Sequence, residues 1–169
     1  HAFISLYEAT FDEKWLQHAK QLTDYSLDYF YDETTSLFTF KSDLDDALIT
    51  THYETEDNVI PASNSVMATN LYVLSIYFNN SYYEKLAQQM IQQIAPIIDY
   101  PSAYSNWLRN SFYYITTKKE LAICGENATQ EIKELNAKYI PNIIIAGSTK
   151  ASNLPFLHNR FQENETLFY

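Results

Sequence analysis

Helical spacing of apolar residues organises the first two thirds of the chain. Over 12–31, Trp15, Leu16, Ala19, Leu22, Ser26, Tyr29 and Phe30 share one face, while Lys14, Gln17, His18, Gln21, Asp24 and Asp28 share the other. That pattern predicts an amphipathic helix. Segment 82–98 repeats it, with Tyr83, Leu86, Ala87, Met90, Ile91, Ile94 and Ile98 inward, glutamines outward and Pro101 as the stop. Segment 62–79 differs. Val66, Met67, Leu71, Val73, Leu74, Ile76, Tyr77 and Phe78 surround its axis, which predicts a helix buried on all sides. Segment 102–117, with Tyr104, Trp107, Leu108, Phe112, Tyr113 and Ile115, reads the same way. Phe3, Ile4, Leu6 and Tyr7 read as the last turns of another buried helix.

The segments also echo one another. Thr10-Phe11-Asp12-Glu13-Lys14-Trp15, leading to Ala19 and Leu22, matches Tyr77-Phe78-Asn79-Asn80-Ser81-Tyr82-Tyr83, leading to Ala87 and Met90, at an offset of 67 that becomes 68. A repeated αα-hairpin with alternating buried and half-buried helices suits an α/α toroid or solenoid, whose inner ring is covered on both faces. A simple bundle, the rival, would use two-faced helices throughout. A closed six-hairpin ring at roughly 40–60 residues per hairpin needs well over 200 residues, so residues 1–118 are expected to be part of a larger toroid. After Thr117 the apolar runs 121–124 and 143–146 flank a helical pattern from Thr129 to about Tyr139. This predicts a small α/β unit over 119–169, a βαβ with parallel buried strands and a third strand at 166–169. The expected fold is mainly α, a partial α/α toroid with that C-terminal unit.

Composition removes whole classes of function. Twenty-one acids against 11 bases give a net charge of −10 over 169 residues. This disfavours nucleic acid, which is held by Lys and Arg, and an anionic membrane surface. Two glycines, Gly125 and Gly147, cannot write a nucleotide-binding loop. One cysteine, Cys124, excludes disulfide frameworks and Cys-based zinc sites. The histidines lack metal spacing, so no metal and no cofactor is expected. There is no membrane-length apolar run and no signal-peptide pattern, so three glycosylation sequons read as chance and the setting as reducing and cytoplasmic. Gly125 before a helix start either holds an anion or lets the chain leave a strand.

Chemistry, if present, belongs to the long excursion 32–60 and the helix mouth after it. Asp43, Asp45, Asp46, Glu54, Glu56 and Asp57 lie there, followed by Asn58-Val59-Ile60-Pro61-Ala62-Ser63-Asn64-Ser65. Asp45 or Asp46 could pair with Asp57 or Glu54 as the two carboxylates of glycoside hydrolysis, or be solvated loop acids. Asn58, Ser63, Asn64 and Ser65 suit binding of a neutral polyol; equally, Ser63 or Asn64 would cap the helix. His52 reads as a general base or an exposed bystander, and Trp107 as a sugar-stacking ring or core.

Leu6-Tyr7-Glu8-Ala9-Thr10-Phe11-Asp12-Glu13-Lys14-Trp15-Leu16, Asp57-Asn58-Val59-Ile60-Pro61-Ala62-Ser63-Asn64-Ser65 and Tyr139-Ile140-Pro141-Asn142 together resemble the C-terminal part of the YyaL / spermatogenesis-associated thioredoxin-domain-containing family. The resemblance implies a six-hairpin glycosidase-like toroid preceded by a thioredoxin-like domain and further hairpins as intramolecular partners. The family's motif falls on Asp57, Pro61, Ser63, Asn64 and Ser65, with Ala62 and Ser63 departing from the commoner Ser-Gly, and no arginine near Thr51. Two functions follow. One is binding or processing of a sugar, with Asp57 as catalytic acid or anchor and Asn58, Ser63, Asn64, Ser65, His52 and Trp107 as substrate-binding residues. The other is a non-catalytic scaffold or partner-binding domain for the thioredoxin-like module. Whether the chain is an enzyme stays open between them. Apolar surface left uncovered on such a piece would favour self-association.

Overall fold

The computed structural model describes residues 1–46 and 50–169; positions 47–49, inside the predicted 32–60 excursion, lie outside the described residues. The chain is mainly α with a small sheet. Helices α1 (Ala2–Thr10) and α2 (Lys14–Phe30) form one hairpin, α3 (Ser63–Phe78) and α4 (Ser81–Ile94) a second, and α5 (Ser105–Ile115) packs against the second hairpin. The sequence echo is a structural repeat at offset 68. Phe11 and Asn79 both turn the chain in the left-handed region, with φ of 56° and 48°. The next residue then caps: Asp12 Oδ1 accepts the Lys14 N–H at 3.1 Å, and Asn80 Oδ1 accepts the Tyr82 and Tyr83 N–H groups at 3.0 and 3.2 Å. Ala19 and Ala87 sit buried at matching positions.

Helix α3 is buried around its whole axis between Asn64 and Tyr77, as its pattern predicts. Helix α5 is not. Trp107 and Asn110 are its buried residues, while Leu108, Phe112 and Ile115 are 36%, 49% and 75% exposed. Those three recur at i, i+4 and i+7, one stripe on the side away from α3 and α4. Two boundaries also shift. α4 ends at Ile94, because Pro96 turns the chain into a 3₁₀ turn over Ala95–Ile97, well before Pro101. Pro101–Tyr104 is likewise 3₁₀, so α5 starts later than the pattern suggests.

The excursion after α2 opens with an unpredicted hairpin. Strands β1 (Tyr31–Asp32) and β2 (Leu37–Phe38) pair antiparallel. Its turn is set by Asp32, whose Oδ1 accepts the Thr34 N–H at 2.8 Å, and by Ser36 at φ 56°.

At the C-terminus the strand–helix–strand pattern forms, with its helix ending at Asn136 rather than near Tyr139. Strands β3 (Lys119–Cys124) and β4 (Ile143–Ser148) are parallel and joined through α6 (Ala128–Asn136). Strand β5 (Leu167–Phe168) adds antiparallel to β3, giving the order β4-β3-β5. The turn at Gly125 is closely packed against the segment before β5. At φ 141° a Cβ there would lie 2.2 Å from the Glu165 carbonyl. The Asn127 N–H at the start of α6 is taken by Thr166 Oγ1 at 3.2 Å. The sheet docks on α1 and α3 through two buried tyrosines. Tyr77 Oη reaches the Ile145 carbonyl at 2.8 Å, and Tyr7 Oη exchanges hydrogen bonds with Gly147, accepting its N–H at 3.2 Å.

Gly147 is needed for this docking because the Phe11 ring lies where its Cβ would be, at 2.3 Å, with the Ile123 carbonyl at 2.6 Å. Gly147→Ala is expected to destabilise the protein by about 1–3 kcal/mol through overpacking. Asn80→Ala, which removes only a helix cap, should cost about 1 kcal/mol. Urea denaturation ranks the two; equal small losses would contradict the close approach.

Candidate functional site

The motif at the mouth of α3 folds into a brace. Asp57 is 5% exposed. Its Oδ1 accepts the Ala62 N–H at 3.0 Å, the Ser65 hydroxyl at 2.7 Å and the Asn106 side-chain amide at 3.2 Å. Its Oδ2 accepts the Asn106 backbone N–H at 2.7 Å. Ala62 is the N-cap residue of α3 and Asn106 lies in the first turn of α5, so one carboxylate satisfies orphan donors of two helices. Both helix dipoles favour a negative charge there. Burial pushes this carboxyl up, but the hydroxyl, backbone and amide donors outweigh it and hold it below the ordinary aspartate range.

The neighbouring motif residues are spent in the same way. Asn64 is fully buried and imitates a β-strand partner for β2. Its Oδ1 accepts the Phe38 N–H at 2.7 Å, and its Nδ2 donates to the carbonyls of Phe38 at 2.9 Å and Glu54 at 3.0 Å. Ser65 is buried on Asp57. Trp107 is 1% exposed and donates its indole N–H to the Thr55 carbonyl at 2.7 Å, which makes it core and removes it as a stacking platform. The Ser63 N–H is taken by Glu54 Oε2 at 3.0 Å, and this donor holds the Glu54 carboxyl below its usual range. Capping of α3 therefore comes from Glu54 and Asp57 upstream, not from the Ser63 or Asn64 side chains. Asn58 is exposed, its Oδ1 turned back on the Val59 N–H at 3.0 Å.

Farther into the interface, Asn110 Nδ2 donates to the Ser65 carbonyl at 2.9 Å, and Thr69 Oγ1 donates to Asn110 Oδ1 at 2.7 Å. A buried polar seam thus runs from Asp57 between α3 and α5. Asn106, Asn110 and Thr69 were missed in the sequence, because Asn and Thr inside a helical segment look like ordinary wet-face residues.

In this geometry Asp57 is buried and both its oxygens accept hydrogen bonds from Ala62, Ser65 and Asn106, which favours a structural role over its reading as the catalytic acid. Among the described residues no hydrogen bond or shared cleft joins Asp45 or Asp46 to Glu54 or Asp57. Glu54 and Asp57 are engaged at α3, while Asp45 and Asp46 are exposed and Lys41 bonds to their backbone carbonyls. Among the described residues no three His, Cys, Asp or Glu side chains gather as metal ligands.

His52 lies elsewhere, in a surface cleft of about 330 Å³ formed with Thr39, Phe40, Lys41, Ser42, Asp43, Asp45, Thr50 and Thr51. Phe40 is 76% exposed, and its ring meets the His52 ring edge-on at 6.3 Å between centroids. The Phe40 N–H to His52 carbonyl bond, 3.0 Å, joins the two walls. Thr39 fixes the floor by donating to the Lys41 carbonyl at 2.6 Å. The cleft thus combines an exposed aromatic ring with hydroxyls and two carboxylates. Phe40 was not recognised as a site residue; a bulky apolar residue inside an acidic excursion was the available signal.

No protein-family model matches the chain. Among curated proteins it is 27% identical to spermatogenesis-associated protein 20 of Rattus norvegicus and 26% identical to that of Homo sapiens. Each alignment spans 179 positions, covering 98% of this chain and 23% of the relative. The chain therefore spans about a quarter of the length of the curated relatives it matches. This distant similarity runs along nearly the whole chain and agrees at family level with the motif resemblance.

The brace has a pH signature. A carboxyl lowered in the folded state stabilises the protein above its unfolded pKa, about 4, and that stabilisation is lost as pH falls through the folded value. Asp57→Asn is expected to cost about 1–3 kcal/mol at neutral pH, because its amide would face the donors of Asn106. It should also flatten the acid limb of the stability–pH curve. An unchanged acid limb in that variant, read by chemical denaturation, would contradict the role.

Proposed function

We propose that this chain is a ligand-binding, non-catalytic part of a larger helical protein of α/α-toroid type, and that the Thr39–His52 cleft receives a sugar or similar polyol. The observation that carries the reading is the pairing of an exposed Phe40 ring with hydroxyls and carboxylates in one cleft. Sugar recognition needs an apolar face for the C–H side of the ring and acceptors and donors for its hydroxyls. The cleft brings an exposed aromatic ring together with hydroxyls and carboxylates, groups that suit holding a polyol. Support for the toroid comes from the hairpin repeat and from α3, a helix covered on all sides as an inner-ring helix would be.

A second reading has its own support. The motif most specific to the resemblance is consumed in holding α3 to α5, as expected of a scaffold that carries a thioredoxin-like module in a longer protein. In that reading the partner is the module, and the cleft is incidental. The lone Cys124 is buried and unpaired among the described residues. Among the described residues no helix is long and apolar enough to cross a membrane.

A titration with a panel of mono- and oligosaccharides, followed by NMR, separates the two. Binding is expected to perturb amides of the Thr39–His52 cleft, to be lost in Phe40→Ala, and to survive in any Asp57→Asn protein that remains folded. Absence of a response to every sugar, or binding that persists in Phe40→Ala, would overturn the sugar reading.

A further inference from the structure

The Leu6-Tyr7-Glu8-Ala9 motif contains a half-buried acid that neither reading above uses. Glu8 on α1 approaches Tyr77 Oη on α3 at 2.8 Å, and the same Oη lies 2.8 Å from the Ile145 carbonyl on β4. A phenol has one proton. The carbonyl is only an acceptor, and so is an ionised carboxylate, so a single Tyr77 proton cannot satisfy both. One arrangement satisfies all three groups. The Glu8 carboxyl carries a proton and donates it to Tyr77 Oη, and Tyr77 donates its own proton to Ile145.

We propose that Glu8 is held as a neutral carboxylic acid that donates to Tyr77, making the docking of α1 on α3 and β4 proton-dependent. The surroundings agree. Burial pushes the Glu8 carboxyl up, opposed by the Tyr77 hydrogen bond. The Tyr77 phenol is itself pushed well above its ordinary value by burial, so it keeps its proton. The groups facing this spot are Tyr7 on α1, Tyr77 on α3 and the Ile145 backbone on β4, and the charge of Glu8 also acts on Tyr113 of α5, which Arg109 opposes. Glu13 acts on Tyr7 from the start of α2. The α6 side buries Ala128 and Ile132, while Lys133 and Glu134 are exposed and Glu131 half-buried. Among the described residues no cation forms an ion pair with Glu8. Tyr7, one residue away, bonds the same strand at Gly147, so the clamp and the second tyrosine anchor move together.

The sign follows from linkage. A carboxyl raised in the folded state contributes its stabilisation fully below the unfolded value, about 4.3 for Glu, and loses it as pH rises through the folded value. Glu8→Gln keeps a donor toward Tyr77 at every pH. The melting temperature of the wild type minus that of Glu8→Gln, measured from pH 4 to 9, is therefore expected to fall with rising pH and then level. Each unit by which the Glu8 pKa is raised should move the gap by about 3–5 °C. Asp57 is common to both proteins and cancels. A gap independent of pH, or one that grows with pH, would overturn the proposal. Should Glu8→Gln not fold, carbon NMR of glutamate carboxyls in the wild type decides: one must titrate above all the others, and a set titrating together would overturn it.

Discussion

One buried carboxylate, Asp57, fixes where two helices begin. Burying a charge is costly unless it is hydrogen-bonded, and here four hydrogen bonds from Ala62, Ser65 and Asn106 reach its two oxygens. The cost of burial enforces geometry, because α3 and α5 can start only where their first N–H groups reach the same two oxygens. Removing the acid would leave those donors buried and unpaired.

The strap leading to Asp57 is tied by side chains that the pattern alone would assign to other work. Asn64 and Trp107 hold the carbonyls of Glu54 and Thr55, and the Asp57 N–H bonds to the Ala103 carbonyl at 2.6 Å. Polar residues therefore occupy the mouth and the α3–α5 seam, whereas aromatic and aliphatic residues occupy the body of α3. Below that seam, the α1–α2 turn, Tyr77 and the sheet form a second anchoring region in which Phe11 fills the space left by Gly147. The repeat at offset 68 explains why the two hairpins look alike. It does not explain the sheet, which is attached by Tyr7 and Tyr77 individually.

Long periodic features were legible from sequence. The helices α2 and α4, the axis-wide burial of α3 and the parallel β3–β4 pair follow from patterns spanning many residues, although on α2 Leu22, read as inward, is exposed and Thr23 is buried instead. Local competition was not legible. Pro96 ended α4 early, the four-residue turn 33–36 closed a hairpin too short for an alternating pattern, and the α5 stripe at Leu108, Phe112 and Ile115 faces solvent although its apolar content suggested burial. The motif 57–65 stood out in the sequence, and Asp57, Asn64 and Ser65 are hydrogen-bonded around the start of α3; residue types at a helix mouth cannot distinguish a carboxylate aimed at a ligand from one aimed at backbone N–H groups. Asn106, the other half of the brace, lies 49 residues away in sequence, beyond the reach of any local spacing argument.

Amide hydrogen exchange tests the brace most directly. If one carboxylate sets both helix starts, Asp57→Ala must lower protection together at the first turns of α3 and α5, with Ala62 and Asn106 affected most, while the N-terminus of α4, capped by Asn80, keeps its protection. Loss confined to the 58–61 loop, or to one helix alone, would contradict the account.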